Sequence, residues 1–285
     1  NNTNNTCSSC AKDDLHYYLE STGIETYIFL TPGKGITGYL RQSAFLTRFC
    51  KKHQVDCVFS HLQPANFVAV ISQYFMKAAV IVFRHHLQSV HSTDEKIVIH
   101  RNELFMDKII NRLAKKIVVP STGVYNGIIA FEKIDKKKLL IIPYIYDFSK
   151  YRMPDINEVE RIKALYPCKL RLIMVSLMVK LKRHHVVFPV IKELIQEGYA
   201  VKMLVLDQGP EQESLQKYIL DNQLENSIYM LGYKKNFPDF MAACDLLIQP
   251  SISDASNSVA KEMALFEKPI AVSDNVSSLT PLANS

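Results

Sequence analysis

From residue 55 onward, short apolar runs alternate with stretches of helical period, and this alternation narrows the fold more than any single motif does. Runs at 55–60, 78–83, 116–119 and 139–142 read as strands, and runs at 170–175, 201–206, 228–231, 245–248 and 270–273 repeat the pattern. Helix-period segments lie between them, at 65–76, 96–114, from 121, and at 157–165, 185–197, 211–222, 237–243 and 257–266. Strands separated by helices pair in parallel, because each helix carries the chain back across the sheet before the next strand starts. The expected class is α/β. Ahead of residue 55, Asp13 or Asp14 caps a short helix ending at Gly23, residues 27–30 read as a further strand, and 38–53 read as a helix.

At 285 residues, with 48% hydrophobic and 22% charged residues, the chain is long enough for two such units. Residues 144–154 read as the linker, so an N-terminal unit, 1–148, is expected to face a C-terminal unit, 149–285. Open parallel sheets bind ligands outside the carboxyl ends of their strands, which sends the loops after Val175, Leu206 and Gln249 to one shared site.

The net charge of +6 originates in residues 1–150, where 19 Lys plus Arg stand against 12 Asp plus Glu. That half is where an anionic membrane surface would be met. The charge carries no aromatic interleaving of a nucleic-acid motif, which argues against a nucleic-acid partner. No apolar run approaches the ~20 residues of a membrane span and no signal peptide precedes the first strand, so a cytoplasmic protein, peripheral at the inner face of the membrane, is expected. Residues 1–12 are polar. Their lone Cys7–Cys10 pair makes neither a zinc site nor a redox motif, and their Asn-x-Thr triplets carry no weight without secretion. The first residue is not Met and the last residues, 282–285, follow closely on a strand, which reads as truncation at both ends.

Residues 249–272, QPSISDASNSVAKEMALFEKPIAV, carry the clearest chemistry. Gln249 and Pro250 end a buried strand. Ser251, Ser253, Asp254, Ser256, Asn257 and Ser258 then offer caps for a helix whose apolar positions are Val259, Met263 and Phe266, and Pro269 stops it. A helix N-terminus at the carboxyl end of a sheet presents unpaired amides and partial positive charge, a ready site for phosphate. Asp254 in the loop and Glu262 eight positions later put two carboxylates around that terminus, as the hydroxyls of a sugar nucleotide require.

This spacing, with Pro-Ser before it and Lys261-Glu262-Met263-Ala264 and Lys268-Pro269-Ile270 after it, resembles the donor-site signature of retaining GT-B glycosyltransferases, the group 1 or family 4-like glycosyltransferases. The family writes Glu-Gly-Phe-Gly, four residues, then Glu-Ala-Met-Ala. Here Asp254 stands for the first Glu, and Ala255, Ser256 and Asn257 stand for Gly-Phe-Gly, a less permissive backbone than glycine allows. Other short strings follow in family order. Ser176 to Arg183 resembles Gly-Arg-Leu followed by Lys-Gly, with Lys182 on the family's lysine and Leu177 in place of its arginine; Asp207-Gln208-Gly209-Pro210 resembles Gly-Asp-Gly-Pro; Leu231-Gly232-Tyr233 resembles the segment near the nucleotide base. In the N-terminal unit, Ser60-His61-Leu62 resembles His-Ala-His-Leu, and Arg84-His85-His86 occupies the place of a donor-contacting histidine. Residues 142–145, Ile-Pro-Tyr-Ile, replace the family's Ile-Pro-Asn-Gly, and the family's first strand and glycine-rich loop are missing.

The resemblance implies GT-B architecture, two Rossmann-like units facing a cleft, and a retaining transfer of sugar from a nucleotide-sugar donor to a hydroxyl, in glycan, polysaccharide or glycolipid biosynthesis. It implies catalytic roles for Asp254, Glu262 and His85, with Glu262 on the ribose hydroxyls and Asp254 near the sugar. Donor contacts fall to Lys182, Ser176, Gly209, Tyr233, Ser256, Asn257, Ser258 and Val259. A saccharide or lipid-linked acceptor is the other partner. No acidic pair stands where a metal would be needed, so no cofactor or obligatory metal is expected. Two alternatives stay open: an inactive donor-binding relative serving as a regulatory or scaffolding module, and a sugar-nucleotide epimerase or phosphorylase on the same fold.

Overall fold

A computed structural model describes residues 14–29, 35–86, 90–92, 97–132, 134–252 and 254–273. The polar leader, its cysteine pair, Ser253 and the last residues lie outside the described residues. In the first half, α1 (Asp14–Ser21) and α2 (Ile36–Lys52) precede β1 (Cys57–His61), α3 (Gln63–Ser72) and β2 (Ala79–Phe83). A hairpin of β3 (Val90–Ser92) and β4 (Ile97–Ile99) leads to α4 (Arg101–Leu113), β5 (Lys116–Val119), α5 (Thr122–Glu132) and β6 (Leu139–Ile141). The second half runs α6 (Ile156–Leu165), β7 (Leu170–Val175), α7 (His184–Gln196), β8 (Val201–Leu206), α8 (Gln212–Asp221), β9 (Ile228–Gly232), α9 (Phe237–Ala243), β10 (Leu246–Gln249), α10 (Ser258–Leu265) and β11 (Ile270–Val272).

Two parallel sheets result, ordered β1-β2-β5-β6 and β11-β10-β7-β8-β9. The second is covered on both faces. Leu172, Met174, Met203 and Val205 point to one side, onto Phe188 and Ile191 of α7 and Leu215 and Ile219 of α8. Ile173, Leu204, Leu206 and Leu247 point to the other, onto Val159 and Ile162 of α6, Phe240 and Met241 of α9, and Met263 of α10. Burial on both faces is why these strands are apolar without alternation, and so why they stand out in the sequence. The first sheet packs Val80, Val82, Ile117 and Val119 against Ile110 and Ile128.

Two expectations need correction. The strand expected at 27–30 is not formed over its described part; residues 24–29 lie outside any regular element. Aromatic packing holds them instead, with Phe29 stacked on Phe45 at 3.7 Å and Tyr27 edge-on to Phe49, both partners on α2. The single helix expected at 96–114 begins only at Arg101, because the three β-branched residues of β4 pair antiparallel with β3. Arg84, the first residue of the Arg84-His85-His86 string, turns its charge inward. It is buried, with two bonds to Glu132 at 2.8 and 2.7 Å and an ion pair to Asp107 at 3.1 Å, which ties β2 to α4 and α5. No helix among the described residues is long and apolar enough to cross a membrane.

Candidate functional site

At the carboxyl end of the second sheet, backbone contacts lock the loops after β7 and β8 together. Met178 N–H donates to the Gln208 carbonyl at 3.2 Å, and Glu211 N–H donates to the Met178 carbonyl at 3.0 Å. A Cβ at Gly209 would lie 2.6 Å from that carbonyl oxygen, so only glycine fits. Ser176 is buried directly after β7, with its Oγ 3.5 Å from His184 Nε2. Burial first, then His185 and Lys182, lowers the His184 pKa to about 4, which leaves the ring neutral.

The chain then makes one tight turn, Lys180–Lys182, and enters α7 through Arg183 in the left-handed region at φ 61°. This turn brings Lys182 to the loop after β10. Lys182 Nζ donates to Asp254 Oδ2 at 2.8 Å, with both side chains about four-fifths buried at 19% and 18% exposure, and Ile252 N–H donates to the Leu181 carbonyl at 3.0 Å. Two residues expected to share the donor site therefore touch.

The loop after β10 concentrates polar atoms whose bonding capacity is unused. Among the described residues, Gln249 Oε1, Ser251 Oγ and Asn257 Nδ2 are all buried without a hydrogen-bond partner. Such atoms cost free energy unless something meets them, so they mark where a polar ligand belongs. Asn257 also caps α10, its Oδ1 accepting from Ala260 N–H at 3.2 Å, with φ 34° and ψ 64°. Asparagine tolerates this left-handed conformation better than most residues. It thus stands in for the family's glycine, and the backbone is less restricted than the substitution alone suggests. Ser256 Oγ accepts from Lys261 Nζ at 3.0 Å, and that ammonium lies over the Tyr146 ring of the linker. Ser258 opens α10. Val259 packs on the second core, so its side chain is spent on packing and only its backbone faces the terminus.

Glu262 sits half-buried one turn into α10, and burial raises its pKa. Tyr151 of the linker lies beside it, with a buried hydroxyl that has no hydrogen-bond partner among the described residues and whose pKa is raised by burial and by the Glu262 charge. Tyr233 is 65% exposed on the far side of Gly232, open enough to receive a flat ring. Ala255 packs against the core of the first sheet, so the loop after β10 touches both halves.

His85 lies in the first half, after β2, at a small pocket lined also by Leu62, Gln63, Asn66, Phe83, Arg84 and His86. Its ring bonds to His61 and to Tyr144. Sequence reasoning had no role for Tyr144, Gln249, His184 or Tyr151. Gln249 carried the one usable signal, a polar residue closing an apolar strand.

Fold and loops together give the chain a GT-B architecture. Residues 155–282 match glycosyl transferases group 1, so this part of the chain is a group 1 glycosyltransferase domain. Comparison with curated protein sequences finds no match. Among solved structures, HepE of Anabaena in complex with UDP and glucose shares 19% identity, with 94% of this chain and 73% of that chain covered at a TM-score of 0.78. A glycosyltransferase from Rickettsia africae ESF-5 shares 17%, with 94% and 70% covered at 0.74. Sucrose-phosphate synthase from Thermosynechococcus elongatus shares 13%, with 86% and 62% covered at 0.69.

Proposed function

We propose that the protein transfers a sugar from a nucleotide-sugar donor to a hydroxyl of a saccharide or lipid-linked acceptor, with retention at the anomeric carbon. The pairing of Lys182 with Asp254 beside the N-terminus of α10 carries this reading. A diphosphate entering there meets the Lys182 ammonium, the free amides of α10 and Asn257 Nδ2, so the leaving group is neutralised by protein donors and no metal is obligatory. Lys182, once turned to the phosphates, leaves Asp254 to accept from sugar hydroxyls. Glu262 accepts from the ribose, Tyr233 flanks the base, and Ser176, Ser256 and Ser258 line the phosphate side. The complex of HepE with UDP and glucose supports the donor class.

In this reading residues 1–148 form the acceptor side and 149–285 the donor side. The basic excess of the first half suits contact with an anionic inner membrane leaflet, where glycolipid or polysaccharide acceptors are assembled. The test uses the full chain. Its melting temperature should rise with nucleoside diphosphates, since a ligand at 100 times its dissociation constant adds ~2.7 kcal/mol. Product analysis with sugar donors should then show transfer with retention. Donor binding with neither transfer nor hydrolysis would replace the enzyme by a donor-binding module.

A further inference from the structure

Three polar rings meet at the carboxyl end of the first sheet. His61 ends β1, His85 stands two residues past β2, and Tyr144 opens the linker after β6. His61 Nδ1 lies 2.9 Å from His85 Nε2, and His85 Nδ1 bonds to Tyr144 Oη. Phe83 stacks on His61 at 5.2 Å and on Tyr144 at 6.1 Å, so one apolar ring steadies both ends of the chain of bonds. Both ring nitrogens of His85 are therefore engaged inside the protein. Among the described residues His61 uses only Nδ1, and its side chain is exposed.

A neutral imidazole offers one donor and one acceptor, and two arrangements satisfy this chain. In one, Tyr144 donates to His85 Nδ1, His85 Nε2–H donates to His61 Nδ1, and His61 Nε2 carries an outward proton. In the other, His85 Nδ1–H donates to Tyr144, His61 Nδ1–H donates to His85 Nε2, and His61 Nε2 presents an outward lone pair. Burial, and then the neighbouring His61 and His86, lower the His85 pKa and favour the neutral ring that a middle link requires.

We propose, on the footing of the glycosyltransferase reading above, that Tyr144 and His85 are positioning residues and that His61 Nε2 is the atom that meets a hydroxyl of the bound saccharide. His85, the histidine singled out by resemblance, then acts through its neighbour. The chain of bonds lets His61 serve as donor or acceptor by exchanging tautomers, without a net charge appearing at the site.

Ring-nitrogen NMR on full-length, histidine-labelled protein titrated with UDP-glucose tests this without turnover. The His61 Nε2 resonance should move, and any change at His85 should be the matching exchange of its two ring tautomers. A His85 shift with His61 silent would overturn the assignment. Kinetics add a second arm. Tyr144→Phe should keep the melting temperature and UDP affinity while lowering kcat about tenfold, the scale of one lost hydrogen bond in a polar network. Tyr144→Phe combined with His61→Gln should be no slower than His61→Gln alone, whereas multiplicative losses would show that the two residues act separately. A protein that binds no nucleotide sugar at all would instead refute the glycosyltransferase reading on which the proposal stands.

Discussion

Replacing Asp254 by Asn separates what the Lys182–Asp254 pair does for the fold from what it does for the ligand. The bond is 2.8 Å long and each partner is about four-fifths buried, between a solvent-exposed pair and a fully buried one. Losing a hydrogen bond between charged groups in that setting costs about 2 kcal/mol, a fall in melting temperature of roughly 4–8 °C. Binding should respond in the opposite sense. In the free protein the Lys182 ammonium is engaged by a carboxylate, and a diphosphate has to displace it. With Asn at 254 the competing charge is gone, so the free nucleoside diphosphate should bind as tightly as to the parent or a few-fold more tightly. Lys182→Met should instead weaken the diphosphate by about 10- to 100-fold, as loss of a charge-assisted contact does. Calorimetric titration of both variants, beside thermal melts, measures each effect. A tenfold loss of diphosphate affinity in Asp254→Asn would refute the argument, because Lys182 would then need Asp254 to hold it in place.

Glu262→Gln should raise the melting temperature at neutral pH while weakening nucleotide binding. Burial raises the Glu262 pKa, so the folded state disfavours the carboxylate and the native protein loses stability as pH rises through the acid's ordinary range, a loss the amide escapes. Gly209→Ala should cost about 1–3 kcal/mol by overpacking and weaken diphosphate binding as well, since the Met178 backbone has to move; unchanged binding in isothermal calorimetry would speak against the shared site. His184, with its pKa lowered to about 4, is charged in the unfolded chain before it is charged in the folded one, so stability should fall by about 3 kcal/mol as pH drops from ~6.5 to ~4. Denaturant melts across that range should show a shallower fall for His184→Gln.

The second sheet was legible because its strands are covered on both faces, and some of its helices have a clear stop, Gly198 after α7 and Pro269 after α10. The first half was harder to read. Residues 27–29 are apolar enough for a strand, yet their rings pack on α2, and nothing local distinguishes a ring that pairs with a helix from one that lies on a sheet. The hairpin of β3 and β4 was hidden by helix-forming residues that follow it. At the site, residue types and order pointed to the loops. Which side chains touch did not follow: Lys182 and Asp254 are 72 positions apart, and their meeting depends on a one-turn helix and a left-handed Arg183. Likewise Arg84 and His85 look equivalent as neighbours in a basic string, and only their partners show that one ties β2 to α4 and α5 while the other joins His61 to Tyr144.

The contact of Gly209 with the Met178 backbone sets a rule for anyone who recombines donor specificities. Segments 176–183 and 207–211 meet main chain to main chain where Met178 bonds to Gln208 and Glu211, so at Gly209 it is backbone that would have to absorb a mismatch. A chimaera that imports one segment from a related transferase inherits a steric fit made for a different partner, and screening of such libraries would read the resulting clash as loss of donor recognition. Crossover points placed outside residues 176–211 carry the two segments, with β8 between them, as one exchangeable cassette.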